Sequence, residues 1–173
     1  MRRRLQIRAG RLSDADRLAV LATQVWLHTY CTNGVNTEIA QYVLSELTVG
    51  RFASRLAEPQ SHILIAEFQE WLVGFAAVRF GASCPSSARS AVELQTLYVQ
   101  EHFIGQGIGT SLLEAAEAKA REQAVTPLWL SVNAQNARAI AFYARHGYNR
   151  VGTTYFVLGE CRHENQVLIG GDA

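Results

Sequence analysis

The chain has 173 residues, of which 49% are apolar and 18% charged, and a formal net charge of +1. That length holds one domain with a real core rather than two, and the near-neutral balance leaves no overall field to recruit nucleic acid or an anionic membrane. No apolar run approaches the ~20 residues of a membrane span. Met1-Arg2-Arg3-Arg4 reads as a solvated terminus, and Leu5-Gln6-Ile7-Arg8 after it lacks the apolar middle of a signal peptide.

Leu5-Gln6-Ile7-Arg8 alternates and predicts a first strand, ended by Ala9-Gly10. Ser13-Asp14-Ala15-Asp16 opens a helix, with Ser13 as its cap and acidic residues in the first turn. Leu18, Leu21, Ala22 and Val25 bury one face of it. It runs through Trp26-Leu27-His28-Thr29-Tyr30 and breaks near Thr32-Asn33-Gly34. Two more helical patches cover about 37–47 and 49–56. The period then changes: 62–67 and 71–80 read as strands of an antiparallel hairpin. Residues 81–90 form a small-residue loop expected to be mobile. A strand at about 91–99 leads into a glycine turn and a helix to about 123. A fifth strand covers 128–132 and a helix 136–146, closed by Gly147. Strands at 148–157 and 166–169 end the chain, joined by a loop over 158–165. The order predicts a single-domain α/β fold over residues 5–170, in which 91–132 is the one clear parallel crossover.

Gly105, Gly107 and Gly109 stand at alternate positions where the fourth strand gives way to a helix. Such a turn leaves backbone amides uncovered, and the helix start aims its unpaired N–H groups and positive dipole end at whatever fills it. A phosphate is the usual occupant. A nucleoside triphosphate loop needs a lysine after its last glycine, and Thr110-Ser111 stand there instead. A dinucleotide fingerprint needs a first parallel strand before it and a carboxylate about twenty residues on, and neither is present. A plain glycine-rich turn accounts for one or two of the glycines better than for three.

Glu93-Leu94-x-x-Leu97-Tyr98-Val99 followed by Gly105-Gln106-Gly107-Ile108-Gly109-x-x-Leu112-Leu113 resembles the acetyl-CoA signature of the GNAT N-acetyltransferase superfamily. Val132-Asn133-x-x-Asn136-x-x-Ala139-x-x-Phe142-Tyr143-x-x-x-Gly147-Tyr148 resembles its second signature. The element order fits from Leu5 to Ile169. The resemblance implies a mixed, largely antiparallel central sheet with flanking helices. It also implies acetyl-CoA as co-substrate, held by Leu97, Tyr98, Val99, Ile104, Gly105, Gln106, Gly107, Ile108, Gly109, Thr110, Asn133, Asn136 and Tyr143. Ile104 departs from the pattern, which has Arg or Gln there. One side-chain contact to phosphate is therefore lost, with Gln106 or His102 as the neighbours able to replace it.

Acetyl transfer to an amine requires a base, because neutralising an alkylammonium of pKa about 10.4 at pH 7 costs roughly 4–5 kcal/mol. Glu93 is the candidate, acting through water, since an ordinary glutamate titrates near 4.3; a solvent-facing strand glutamate is the bland alternative. Asn136, Ala139, Ile140 and Tyr143 form one helix stripe, with Asn136 near its start as the candidate to hydrogen-bond the pantetheine amides. The resemblance puts Tyr143 at the sulfur as proton donor, with Phe142 as the core member of the pair. It also puts Trp26, Tyr30 and Glu93 on the acceptor side, along with the loop before the last strand, which carries His163. Trp26 and Tyr30, four apart, read equally as an aromatic wall or as core.

Cys31, Cys84 and Cys161 fit neither a disulfide framework nor a zinc site. They read as reduced thiols of a cytoplasmic protein, and no metal is expected. None falls on a cofactor motif, so the amine attacks directly in a ternary complex. The acceptor expected is a primary amine of a small molecule or peptide. The rival reading is a non-catalytic CoA-binding regulatory module, which Ile104 favours. Homodimers through the last strands are common in such proteins.

Overall fold

The computed structural model describes residues 4–124 and 126–171; most of the basic N-terminal run, Met1-Arg2-Arg3, lies outside them. The described residues form seven strands and five helices: β1 (Leu5–Ala9), α1 (Ala15–Tyr30), α2 (Thr37–Glu46), α3 (Val49–Ala57), β2 (Ser61–Phe68), β3 (Trp71–Phe80), β4 (Val92–Val99), α4 (Ile108–Ala124), β5 (Trp129–Asn133), α5 (Ala137–Arg145), β6 (Asn149–Leu158) and β7 (Cys161–Ile169). The strands form one sheet in the order β1-β2-β3-β4-β5-β7-β6. β1 with β2, β5 with β7 and β6 with β7 run antiparallel; β4 and β5 are parallel, with Glu93 opposite Trp129. This is the mixed, mostly antiparallel α/β architecture expected. No helix among the described residues is long and apolar enough to cross a membrane.

The chain divides into two compact units, the first comprising the chain up to Ala77 with Thr96–Ala116, the second Val78–Gln95 with the chain from Glu117 on. In the first, the apolar stripe of α1 (Leu18, Leu21, Ala22) packs with Phe52 of α3 and with Ile63, Ile65 and Phe75 of the hairpin. Phe52 meets Phe75 edge-on at 5.7 Å, and Phe75 meets Tyr98 at 5.6 Å. A short 3-10 turn, Leu12–Asp14, precedes α1, and Ser13 is not the cap. Asp14 holds that corner instead. Buried to 1% exposure, it accepts two bonds from Arg8, at 2.8 and 3.0 Å, one from the Arg11 amide at 2.8 Å, and pairs with Arg17. Arg8 spans onward to Glu67 at 2.9 and 3.0 Å, so β1, β2 and the start of α1 share one ionic knot. A buried carboxylate persists only when paired this fully. Asn36 caps α2 through the Ile39 amide, and Thr48 caps α3 through that of Arg51.

In the second unit, Trp129, Val167 and Ile169 pack with Cys84. The 81–90 loop, expected to be mobile, is tied down. The Cys84 amide donates to Ser90 O at 3.0 Å, Ser90 Oγ to Pro127 O at 2.6 Å, and Trp129 Nε1 to Ala82 O at 2.7 Å. The last loop is also corrected: β7 begins at Cys161, and only Gly159-Glu160 turn the chain. Arg162, His163 and Glu164 therefore sit on a strand, His163 opposite Phe156. Their polarity disguised a solvent-facing strand as a loop.

Candidate active site

The glycine turn is built within the first unit. Past β4, the Gln100 amide still donates to Val73 O at 2.9 Å, and a 3-10 turn over Glu101–Phe103 comes next. Gly105 and Gly107 both have φ +80°, and a Cβ built on either meets nothing within 4 Å. They are glycines because the left-handed backbone requires them, and the space above them is open. Gly109, by contrast, is an ordinary residue of the first turn of α4. The first helical bond runs from the Ser111 amide to Gly107 O at 3.0 Å, so the amides of Ile108 and Gly109, at the very start of α4, precede it. The donors an anion needs are thus gathered at an open, left-handed turn.

Around the turn, Ile104 is 37% exposed. Gln106 donates its side-chain amide back to His102 O at 3.2 Å, bracing the turn. His28 Nε2 lies 3.3 Å from Glu101, and these two line a cavity of about 180 Å³ with Gln24, Val25 and His102. That grouping was not visible in the sequence, because it joins α1 to residues more than seventy positions away. Gly74 was also overlooked. A Cβ there would lie 2.7 Å from Tyr98 O and 3.4 Å from Val99 Cα, so β3 approaches β4 closely at the residues leading into the turn. Leu97, Tyr98 and Val99 are each half-buried on β4. Trp26 is 4% exposed and Tyr30 41%. Their rings lie 5.2 Å apart, and Trp26 stacks on Tyr42 at 4.8 Å, so Trp26 is the buried base of a small aromatic cluster and Tyr30 its outer face.

The second unit carries the remaining residues. Val92 and Leu94, at 1% and 3% exposure, face the core, which turns half-buried Glu93 and exposed Gln95 to the opposite face of β4. Asn133 and Asn136 build the turn between β5 and α5. Asn133 Oδ1 accepts from the Gln135 amide at 2.8 Å, and Asn136 Oδ1 caps α5 through the Ala139 amide at 3.1 Å. Each carbonyl oxygen is therefore used structurally, and it is the side-chain NH₂ groups that take no part in those bonds. Tyr143 is 8% exposed while Phe142 is only half-buried, the reverse of the expected division. Phe142 lies tilted against His146, at 4.4 Å, whereas the Tyr143 ring is flanked by Phe142 at 5.2 Å and Tyr148 at 5.6 Å. The first unit thus gathers the turn, Trp26 and Tyr30; the second gathers Glu93, Asn133, Asn136 and Tyr143. Among the described residues, no group of His, Cys, Asp or Glu is arranged to hold a metal.

A model of the acetyltransferase (GNAT) family matches residues 25–148, spanning β4, the glycine turn and α5. An uncharacterised N-acetyltransferase of Mycobacterium bovis is 34% identical over 159 residues, covering 91% of this chain and 97% of that protein. The chain belongs to the acetyltransferase (GNAT) family. Another relative, a spermidine N(1)-acetyltransferase of Thermoplasma acidophilum, is 24% identical over 150 residues, 83% of this chain and 88% of that one. Among solved structures, the PaiA N-acetyltransferase of Thermoplasma acidophilum, in complex with coenzyme A, has a TM-score of 0.79 at 20% identity, over 96% of this chain and 98% of that one. At that identity the likeness is one of GNAT fold.

Proposed function

We propose that this GNAT protein moves an acetyl group from acetyl-CoA to a primary amine of a small molecule or peptide, by direct attack in a ternary complex. The observation that carries the reading is the turn at Gly105 and Gly107. It offers left-handed backbone, open space and the leading amides of α4, which fits a pyrophosphate and suits no bulkier lining. Bound acetyl-CoA supplies the thioester carbonyl that the amine attacks. The amides of 106–110 hold the phosphates without help from Ile104, and the NH₂ groups of Asn133 and Asn136 orient the pantetheine arm. Glu93, on the face of β4 opposite the core-facing Val92 and Leu94, takes the ammonium proton through a water. Tyr143 protonates the departing thiolate, a transfer from a phenol near pKa 10 to a thiol near 8.5 that is uphill by about 2 kcal/mol, and the second proton that the nitrogen sheds as the amide forms restores the phenol. Tyr30 lines the acceptor side, backed by the buried Trp26.

The test is thiol release from acetyl-CoA with spermidine, amino acids and short peptides as acceptors. Release with at least one amine, strongly reduced in Tyr143→Phe, supports the reading and excludes a CoA-binding module without turnover. Radiolabelled acetyl retained on the protein in the absence of acceptor would overturn direct attack.

A further inference from the structure

Tyr148 takes no direct part in the proposed chemistry, yet its surroundings are unusual. It comes directly after Gly147, whose φ of +80° turns the chain sharply at the end of α5. Its amide then donates to Tyr143 O at 3.0 Å, and its ring comes to lie 5.6 Å from the Tyr143 ring, inclined at 56°. The ring tip rests against Gly170, where a Cβ would sit 3.4 Å from Tyr148 Cζ. The side chain is 4% exposed, and its hydroxyl donates to Glu117 Oε1 on α4 at 3.0 Å. A hydroxyl bonded to a carboxylate is among the stronger neutral-to-charged hydrogen bonds. Burial, reinforced by the Glu117 carboxylate, pushes the Tyr148 phenol far above its ordinary range, so it remains a donor throughout the working pH range.

We propose that Glu117 and Tyr148 form a positioning pair for Tyr143. Tyr148 is the surface against which the Tyr143 ring is set, and Glu117 fixes that surface by holding the far end of the Tyr148 side chain. The inference rests on the reading of Tyr143 as the proton donor. A proton donor must sit within hydrogen-bond reach of the developing thiolate, and misplacement by about 1 Å can cost about a hundredfold in rate. A nine-residue helix ending two residues after Tyr143 does not by itself supply that precision. A ring pinned by a neighbour that is anchored on a second helix does.

Two measurements test the pair. With acetyl-CoA and the best acceptor among spermidine and short peptides, Tyr148→Phe keeps the ring and removes the anchor. It should lower kcat about tenfold or more while KM for acetyl-CoA stays within about twofold. Glu117→Ala should match it, and Glu117→Gln, which keeps an acceptor for the hydroxyl, should restore most of the loss. In a Tyr143→Phe background, Tyr148→Phe should cost nothing further, because the group it positions is gone. Independently of turnover, the tyrosine ring resonances of 13C-labelled protein should show the Tyr143 signal, assigned by its absence in Tyr143→Phe, shifted or broadened in Tyr148→Phe. An unmoved Tyr143 signal with undiminished kcat would overturn the proposal, as would equal losses from Tyr148→Phe with and without Tyr143. Full activity of Tyr143→Phe would instead overturn the parent reading, and the pair's role in catalysis with it.

Discussion

Replacing Gly107 with alanine separates what the turn contributes to folding from what it contributes to binding. Its φ is +80° and a Cβ there meets no atom within 4 Å, so the cost in the unliganded protein is purely conformational. Left-handed backbone disfavours an L side chain by roughly 1–2 kcal/mol, and a protein of this size loses about 2–4 °C of Tm for each kcal/mol. Gly34 provides the control: its φ is +99° and it too has nothing within 4 Å, but it lies in the connection after α1. Gly107→Ala and Gly34→Ala should therefore lose similar amounts of Tm without ligand. With acetyl-CoA they should diverge. If phosphate rests on the turn, the new methyl occupies space the ligand needs, and affinity should fall at least tenfold, removing about 1.4 kcal/mol or more of ligand stabilisation. Gly34→Ala should retain the full ligand-induced shift. Thermal denaturation with and without acetyl-CoA, backed by calorimetric titration, measures both. Equal ligand-induced shifts in the two variants would refute the assignment of the turn as phosphate site.

Three further outcomes are expected. Asn136→Ala should lose the cap on α5 and about 1 kcal/mol of stability, while Asn136→Ser should keep the cap and fold normally but bind acetyl-CoA more weakly; thermal melts and titration together separate the two functions. Gly74→Ala should cost about 1–3 kcal/mol, because its methyl would fall 2.7 Å from the Tyr98 carbonyl and one of two packed strands must shift; urea denaturation checks this. In the ionic knot, the hydrogen bonds from Arg8 hold the Asp14 carboxyl well below the usual carboxylate range. A depressed folded-state pKa means stability that is present above the unfolded value, near 3.9, and is lost as pH falls below it. Asp14→Asn should therefore melt well below the parent at pH 7, with the gap narrowing at pH values below about 4.

Most of the fold could be read from residue patterns because its signals are local. The alternation in 62–67 and 71–80, the stripe of α1 and the glycines at 105, 107 and 147 each act within a few residues. The failures share the opposite property. Asp14 looked like first-turn decoration beside a capping Ser13, but its partner Arg8 is itself held by Glu67, and that bridge forms only when β1 pairs with β2. The 81–90 loop is pinned by Pro127 and Trp129, 37 and 47 positions from their partners. Arg162-His163-Glu164 looks like a loop because both faces of that strand half are exposed, leaving no hydrophobic alternation to detect. At the site, the two signatures named the turn, Asn136 and Tyr143. They could not show that Asn136 also caps its helix, that Tyr143 rather than Phe142 is buried, or that Gly74 clears the way for β4. The acceptor side was least legible, since Trp26 and Tyr30 share a helix face yet differ tenfold in exposure, 4% against 41%.

The central claim is that the glycine turn holds acetyl-CoA, and the direct measurement is thermal denaturation with CoA, acetyl-CoA, ATP and NAD side by side. At one hundred times its dissociation constant, a bound ligand adds about 2.7 kcal/mol of stability. The account predicts a shift of that order with CoA and acetyl-CoA and none with ATP or NAD. A shift with ATP or NAD alone, or none with either CoA species, would contradict it.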